Sequence, residues 1–343
     1  MSDLDRETWD HLLQELGGPF HQSWRWGEFK REAGWDVERI LTSSEAGVGM
    51  AQILFKTRGP VSTASIPRGP HVSGNAEAVL PELFAAIDGA CRRRRAIKLN
   101  IEPACPLPLT DIPNALPLVS AQERFTPDRT AIVTLSDDQT MVQQMHAAKR
   151  RELRRAERQG IVVIDGSAKG ETSEAFHSLM RDTAARNRFE INSRAYYARF
   201  LELFGDDATL KLAAVDSHIA AGLIAVKFRD QAVYMFGGSS TQYRRPGATA
   251  LLQFRTMQWA RDHGCRQYDL WGIPSMDPAQ SLRDGAHEPL RSVGQDKAGL
   301  YRFKVELGGA IVSLPSSYDV HYHPMLTSLL RRAKQLKRAM VRP

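Results

Sequence analysis

The chain has 343 residues, room for about two domains at the usual ~150 residues each. Apolar residues make up 42% and charged residues 25%, globular values that exclude a collagen-like fibre, a coiled-coil rod and a disordered tail protein. The net charge of +7 is uneven: Arg92–Arg95 with Lys98 carry +5, Lys149–Arg158 +4 and residues 324–343 +6, leaving the rest near −8.

In chain order, the pattern predicts helices at Thr8–Leu16 and Gln22–Ala33, then strands at Asp36–Leu41, Gly49–Phe55 and Val61–Ile66. A helix Ala76–Arg94 and a strand Ala96–Ile101 follow. A proline-rich stretch, 103–117, leads to a strand at Ala131–Leu135 and a basic helix at Gln139–Gln159. After Gly160 come a strand Ile161–Ile164 and helices Glu171–Arg188 and Arg194–Phe204. Three strands succeed them closely, Leu210–Val215, Ile219–Phe228 and Ala232–Gly237. The last elements are a helix Ala248–His263, a strand Gln267–Trp271, a helix Lys297–Leu307 stopped by Gly308-Gly309, and a strand Ala310–Leu314.

Strand, two helices, a three-strand meander, helix, strand, helix, strand is the element order of the GNAT acyltransferase fold, and the first half repeats it loosely. The expected architecture is α/β (α+β): two GNAT-like lobes packed around a cleft, one from 1–145 with a C-terminal helix at about 320–343, the other 146–319. Pro274–Asp296 has little periodicity and reads as a loop over that cleft, a lid or a disordered segment.

Three cysteines, Cys91, Cys105 and Cys265, have no CxxC spacing, and the acidic start Met1–Arg6 is unlike a signal peptide. The longest clean apolar run is about Ala220–Val226, too short to cross a membrane. These features predict a cytoplasmic protein. No metal site is expected, since His321 and His323 lack a carboxylate at helical spacing. Nor is there a Gx4GK[ST] loop, a GxGxxG after a strand or a GxSxG elbow. The one candidate for a CoA pyrophosphate loop, Tyr243–Ala250, is degenerate, with Thr249 where a second small residue is required. Basic patches on an acidic body suit a polyanion, such as RNA or an anionic headgroup surface, and equally suit solvated helix faces.

Several segments carry a resemblance. Gln22-Ser23 with Trp26, Phe29-Lys30 and Gly34-Trp35, then Arg68-Gly69-Pro70, Tyr268–Ile273 and Gly299–Gly309 resemble the Fem family (FemABX) of peptidoglycan bridge-forming peptidyltransferases. The chain is similar to the compact FemX type, without a coiled-coil arm. The resemblance implies transfer of an amino acid from aminoacyl-tRNA to the side-chain amine of residue three of a peptidoglycan precursor. It requires no cofactor. Its implied partners are aminoacyl-tRNA and UDP-MurNAc-pentapeptide or lipid II, with peripheral membrane contact through the basic C-terminal helix, and it implies a monomer. Lys30, Arg68, Arg194 and Tyr197 stand at positions that hold the precursor. Phe236 replaces a family tyrosine there, Glu102 stands where relatives have an Asp-Pro pair, and Lys304 matches the family's most constant lysine.

The chemistry fits these residue types. An attacking amine must lose a proton, and Glu102 at a buried strand end is a candidate base, a cap or an ion-pair partner; the substrate itself is the other source of a base. Lys304 is the candidate cation for the oxyanion, expected at the cleft edge with Phe303 and Leu307 facing the core. Arg151, Arg154 and Arg155 are the candidate tRNA contacts. Two other classes stay open, a CoA-dependent GNAT N-acyltransferase and a non-catalytic protein that binds RNA or an envelope precursor.

Overall fold

The computed structural model describes residues 4–108, 116–121, 123–243, 245–274, 291–292 and 295–329. The chain divides into two units, Met1–Thr126 with Leu314–Pro343, and Pro127–Ser313. The division falls after Thr126 and not after 145, because Arg129–Thr134 hydrogen-bonds into the second unit's sheet, against Gln267–Gly272 and Ala310–Ser313.

The first unit begins with α1 (Arg6–Glu15), capped by Asp5, and α2 (Trp24–Glu32), capped by Ser23. The helix expected from Gln22 starts two residues later: Ser23 is extended (ψ 155°) so that its hydroxyl can accept from Trp26 N–H. Strands β1 (Asp36–Ser44), β2 (Gly47–Arg58), β3 (Val61–Pro67) and β4 (His71–Val72) precede α3 (Ala76–Arg93), β5 (Ala96–Glu102) and β6 (Val119–Ser120). Leu80, Leu83, Phe84 and Ile87 of α3 share a core with Ile53, Phe55, Ile66 and Leu99 of the sheet, the expected result of an apolar helix stripe laid on a buried sheet face.

Instead of continuing the predicted helix at about 320–343, Tyr318–His321 forms a strand between β5 and β6. Asp319 fixes it there, accepting from Lys98 at 2.7 Å and from the Asn100 amide at 2.8 Å. A helical turn follows at residues 324–329; the basic residues from Arg331 onward lie outside the described residues.

The second unit runs β7 (Arg129–Thr134), α4 (Asp138–Gln144), α5 (Ala147–Arg158), β8 (Val162–Gly166), α6 (Gly170–Asn187), α7 (Arg194–Phe204), β9 (Ala208–Val215), β10 (His218–Phe228), β11 (Gln231–Ser239), α8 (Ala248–Asp262) and β12 (Gln267–Gly272). It closes with β13 (Arg291–Ser292), β14 (Gln295–Asp296), α9 (Lys297–Glu306) and β15 (Ala310–Ser313). Its sheet order is β15-β7-β12-β11-β10-β9-β8. The single helix predicted over 139–159 is two. Met145 turns extended (ψ 146°) to bury its side chain, and His146 N–H donates 2.8 Å to the Glu306 carbonyl while its ring caps α5. Most of the segment read as a lid, 275–290 and 293–294, lies outside the described residues. Among the described residues no helix exceeds 18 residues, so no coiled-coil arm is present, and none is long and apolar enough to cross a membrane.

One buried amide ties the first unit together. Gln22 is fully buried; its oxygen accepts from Gln52 N–H at 2.7 Å and its nitrogen donates to the Pro67 carbonyl at 2.7 Å. A Cβ at residue 69 would come within 2.8 Å of that carboxamide, so the position admits only glycine without rearrangement. Gln22→Leu is therefore expected to cost about 1–3 kcal/mol for each backbone group left unpaired, read as a lower urea midpoint with an unchanged slope.

Candidate active site

The second unit's sheet opens at one place. Strands β11 and β12 pair only over Gln231–Val233 and Gln267–Asp269, although β11 continues to Ser239 and β12 to Gly272. Asp269 controls the parting: its carboxylate oxygen accepts from the Thr130 hydroxyl and from Trp271 N–H at 2.7 Å. Trp271 adopts a left-handed conformation (φ 64°), and β12 slips register against β7 between Asp269 and Gly272. The Gly272 carbonyl is thereby presented to α9, where Lys304 Nζ donates to it at 2.7 Å.

Lys304 is 5% exposed, while its neighbour Phe303 is only half-buried. The expected placement, with Phe303 facing the core and Lys304 at an edge, is thus reversed for these two; Leu307 is buried as expected. The hydrogen bond and the face of Tyr234, 5.6 Å from Nζ to the ring centroid, draw the ammonium inward. Burial lowers its pKa to about 8, against a weaker opposing pull from Asp269. Among the described residues no carboxylate forms an ion pair with Lys304, and Glu306 pairs with Lys149 instead, at 3.7 Å. A lysine held only by a carbonyl keeps two N–H donors and its charge for something else.

Beyond the parting, β11 bulges: Ile224 faces Phe236 and Ala225 faces Tyr234, with Met235 the extra residue. The bulge sends Tyr234 to the core that α8 and α9 share and Phe236 to the other face. There Phe236 meets Tyr197 edge-on at 5.1 Å. Tyr197 is buried, which raises its pKa, and its hydroxyl accepts from Asn192 N–H at 3.3 Å. Arg194 opens α7 on the surface, 3.8 Å from an exposed Glu174, a pairing too solvated to immobilise it. Arg194, Tyr197 and Phe236 therefore gather around the start of α7, and Lys304 and Tyr234 at the strand parting.

In the first unit Lys30 and Arg68 converge on His21. Burial, then the charges of Arg68 and Lys30, holds the His21 pKa well below its ordinary value. Lys30 lies 4.5 Å from the Trp26 ring centroid, and burial lowers its pKa to about 8. Arg68 is buried too, in a left-handed conformation (φ 55°), and its carbonyl lies 2.8 Å from His71 Nε2. Glu102 is fully buried at the end of β5, and three donors occupy its carboxylate: Phe125 N–H at 2.5 Å, Thr126 N–H at 2.8 Å and the Thr126 hydroxyl at 2.6 Å. It clamps residues 125–126, and this geometry makes it a positioning group.

The basic patches differ. Arg92, Arg93 and Arg94 are paired with Asp88, Glu38 and Asp36. Arg151, Arg154 and Arg155 are exposed on α5, and among the described residues none forms an ion pair. With Arg158 and Pro246 they line an open depression of about 980 Å³.

Residues 5–116 match the model of the FemAB family, and residues 143–278 that of the acetyltransferase (GNAT) domain. The first of these matches lies within the first unit and the second within the second unit. It is similar to a lipid II:glycine glycyltransferase of Staphylococcus saprophyticus, 20% identical over 92% of this chain and 91% of that protein. Its fold resembles the crystal structure of FemX (TM-score 0.77, 18% identity, covering 95% and 98% of the two chains) and that of L-PGS from Bacillus licheniformis (TM-score 0.54, 14% identity, 97% and 96%). Lys304, Lys30 and Tyr197 are singled out in the sequence by their resemblance to Fem-family positions. Asp269, Tyr234 and His21 stood inside or beside legible motifs, yet nothing in their spacing announced the contacts that single them out.

The lowered pKa of Lys304 has a measurable sign. Between about pH 8 and pH 10.5 the unfolded chain binds more protons at this lysine than the folded one does, so stability rises with pH. Relative to Lys304→Met, the wild type is expected to gain up to about 3 kcal/mol across that window, at ~1.36 kcal/mol per pKa unit. Parallel urea titrations of the two proteins from pH 7 to 10.5 measure it; a constant difference would show an ordinary, solvated lysine.

Proposed function

We propose that this chain is a Fem-family aminoacyltransferase that moves an amino acid from aminoacyl-tRNA to the side-chain amine of residue three of a peptidoglycan precursor stem peptide. Lipid II is the favoured acceptor, since the glycyltransferase relative is named for it, and UDP-MurNAc-pentapeptide carries the same stem. The observation that carries the reading is Lys304: a buried ammonium, held by one carbonyl at a parting of strands and neutralised by no carboxylate among the described residues.

The acceptor amine's lone pair forms the new C–N bond at the ester carbonyl, and the carbonyl π pair moves to oxygen. Lys304 stabilises that oxyanion with its charge and free N–H groups. Collapse breaks the C–O bond to the ribose, and the ribose oxygen takes up the proton that the amine gives away. Lys30 and Arg68 bind the phosphates of the precursor. Within the second unit, Arg194 and Tyr197 are the substrate contacts, with Phe236 packing where a hydroxyl would otherwise stand. Glu102 keeps residues 125–126 in place without serving as the base. The α5 arginines hold tRNA phosphates. A CoA-dependent acyl transfer is the second reading, favoured by the match to the GNAT domain.

The test is incubation with charged total tRNA or acetyl-CoA and with lipid II or UDP-MurNAc-pentapeptide, read by mass spectrometry. A mass increment of one or more aminoacyl residues on the stem peptide is expected from charged tRNA, and none from acetyl-CoA; the opposite result selects the second reading. Lys304→Met is expected to fold, to bind precursor and to transfer roughly 10²–10³ times more slowly, the loss typical of one oxyanion donor.

The α5 arginines have their own test. Replacing Arg151, Arg154 and Arg155 with Gln is expected to flatten the slope of log K against log salt for tRNA by about 2–3, at ~0.7–0.9 per phosphate contact, and to leave precursor binding unchanged. An unaltered slope removes α5 from the tRNA surface.

A further inference from the structure

The opening between β11 and β12 holds a second donor beside Lys304. Tyr234 is the last β11 residue before the bulge; its ring lies under the ammonium, and its hydroxyl has no hydrogen-bond partner among the described residues. The hydroxyl is directed along β11 toward the open end of the strand pair, over Gly237. A Cβ there would come within 2.0 Å of the oxygen and 2.7 Å of two ring carbons, so glycine at 237 is what lets the phenol lie in this position. Buried tyrosines ordinarily satisfy their O–H, as Tyr268 does by donating to Gln253 at 2.8 Å in the same core. Tyr234, only half-buried against that core, keeps its O–H uncommitted to any described residue, next to an ammonium with no carboxylate partner among the described residues. This is what a built donor pair looks like before its acceptor arrives.

We propose that the Tyr234 hydroxyl donates a hydrogen bond to the carbonyl oxygen of the acyl donor as that oxygen becomes negative, completing with Lys304 a two-donor oxyanion site. The inference rests on the acyl-transfer reading of the same site. Tyr234 keeps its proton throughout: the C–N bond forms, the ester C–O bond breaks, and the proton lost by the amine leaves with the ribose oxygen. Burial pushes the phenol up to about 12, which suits a group that donates a hydrogen bond without surrendering its proton. The pairing also fits their geometries, a charged donor anchored by Gly272 and a neutral donor anchored by its own ring packing.

Tyr234→Phe keeps the ring beneath Lys304 and removes only the oxygen. The experiment measures kcat and KM of wild type and variant with charged tRNA and with acetyl-CoA, since the tetrahedral oxyanion is common to both donors, and scores the variant on whichever donor the wild type uses. The expected result is a kcat lower by about 10²-fold, with the KM for precursor and the thermal midpoint unchanged, because the lost contact exists only in the transition state. A kcat within threefold of wild type overturns the proposal while leaving the transferase reading standing, as does a loss confined to KM or to stability. Turnover from acetyl-CoA alone replaces the tRNA donor and still decides the role of Tyr234. Turnover with neither donor overturns both.

Discussion

The hydrogen bond from Lys304 to the Gly272 carbonyl is the contact on which the site depends. A buried ammonium with no carboxylate partner among the described residues is costly, and here burial brings its pKa down to about 8. One carbonyl and one aromatic face are enough to keep it in place. That carbonyl is available only because β12 stops pairing with β11 after Asp269, turns at Trp271 and slips against β7. Asp269 thus acts through the backbone, using a side chain that accepts from the residue two positions on, a strong local competitor of regular strand pairing. The Tyr-Asp-Leu-Trp-Gly-Ile segment reads as an instruction for ending a strand with a carbonyl turned toward a helix.

The first unit solves a different problem, the assembly of positive charge around an imidazole. Lys30 and Arg68 arrive from a helix and a turn, and both act electrostatically on the buried His21. What makes this possible is uncharged: the Gln22 carboxamide stitches α2's approach to β2 and β3, and Gly69 lets the chain pass it at close range. The motif residues of this region therefore divide into those that carry charge and those that hold the backbone on which the charge is displayed.

Charge counts alone misjudged the surface. Arg92–Arg94 look in sequence like the α5 arginines, a run of cations closing a helix. Yet β1 brings Glu38 and Asp36 against the first group, while the α5 group is left facing a depression. Partners so distant in the chain leave no trace in a local pattern, because a sheet and not the spacing brings them together.

The sequence by itself determined most of the secondary structure, the loose duplication of one α/β architecture and the identity of the residues worth asking about. Hydrophobic periodicity, capping residues and glycine stops are local physics and survive outside the fold. Tertiary structure alone decided where the helix over 139–159 breaks, since Met145 is buried and His146 bonds to the end of α9. It decided that Tyr318–His321 is a strand, through Asp319 and two partners on β5. It turned Glu102 from a candidate base into a clamp, because three donors from residues 125–126 fill its oxygens. And it buried Lys304 in preference to Phe303, because helical periodicity ranks residues by hydrophobicity, whereas a carbonyl presented by a broken strand selects for charge.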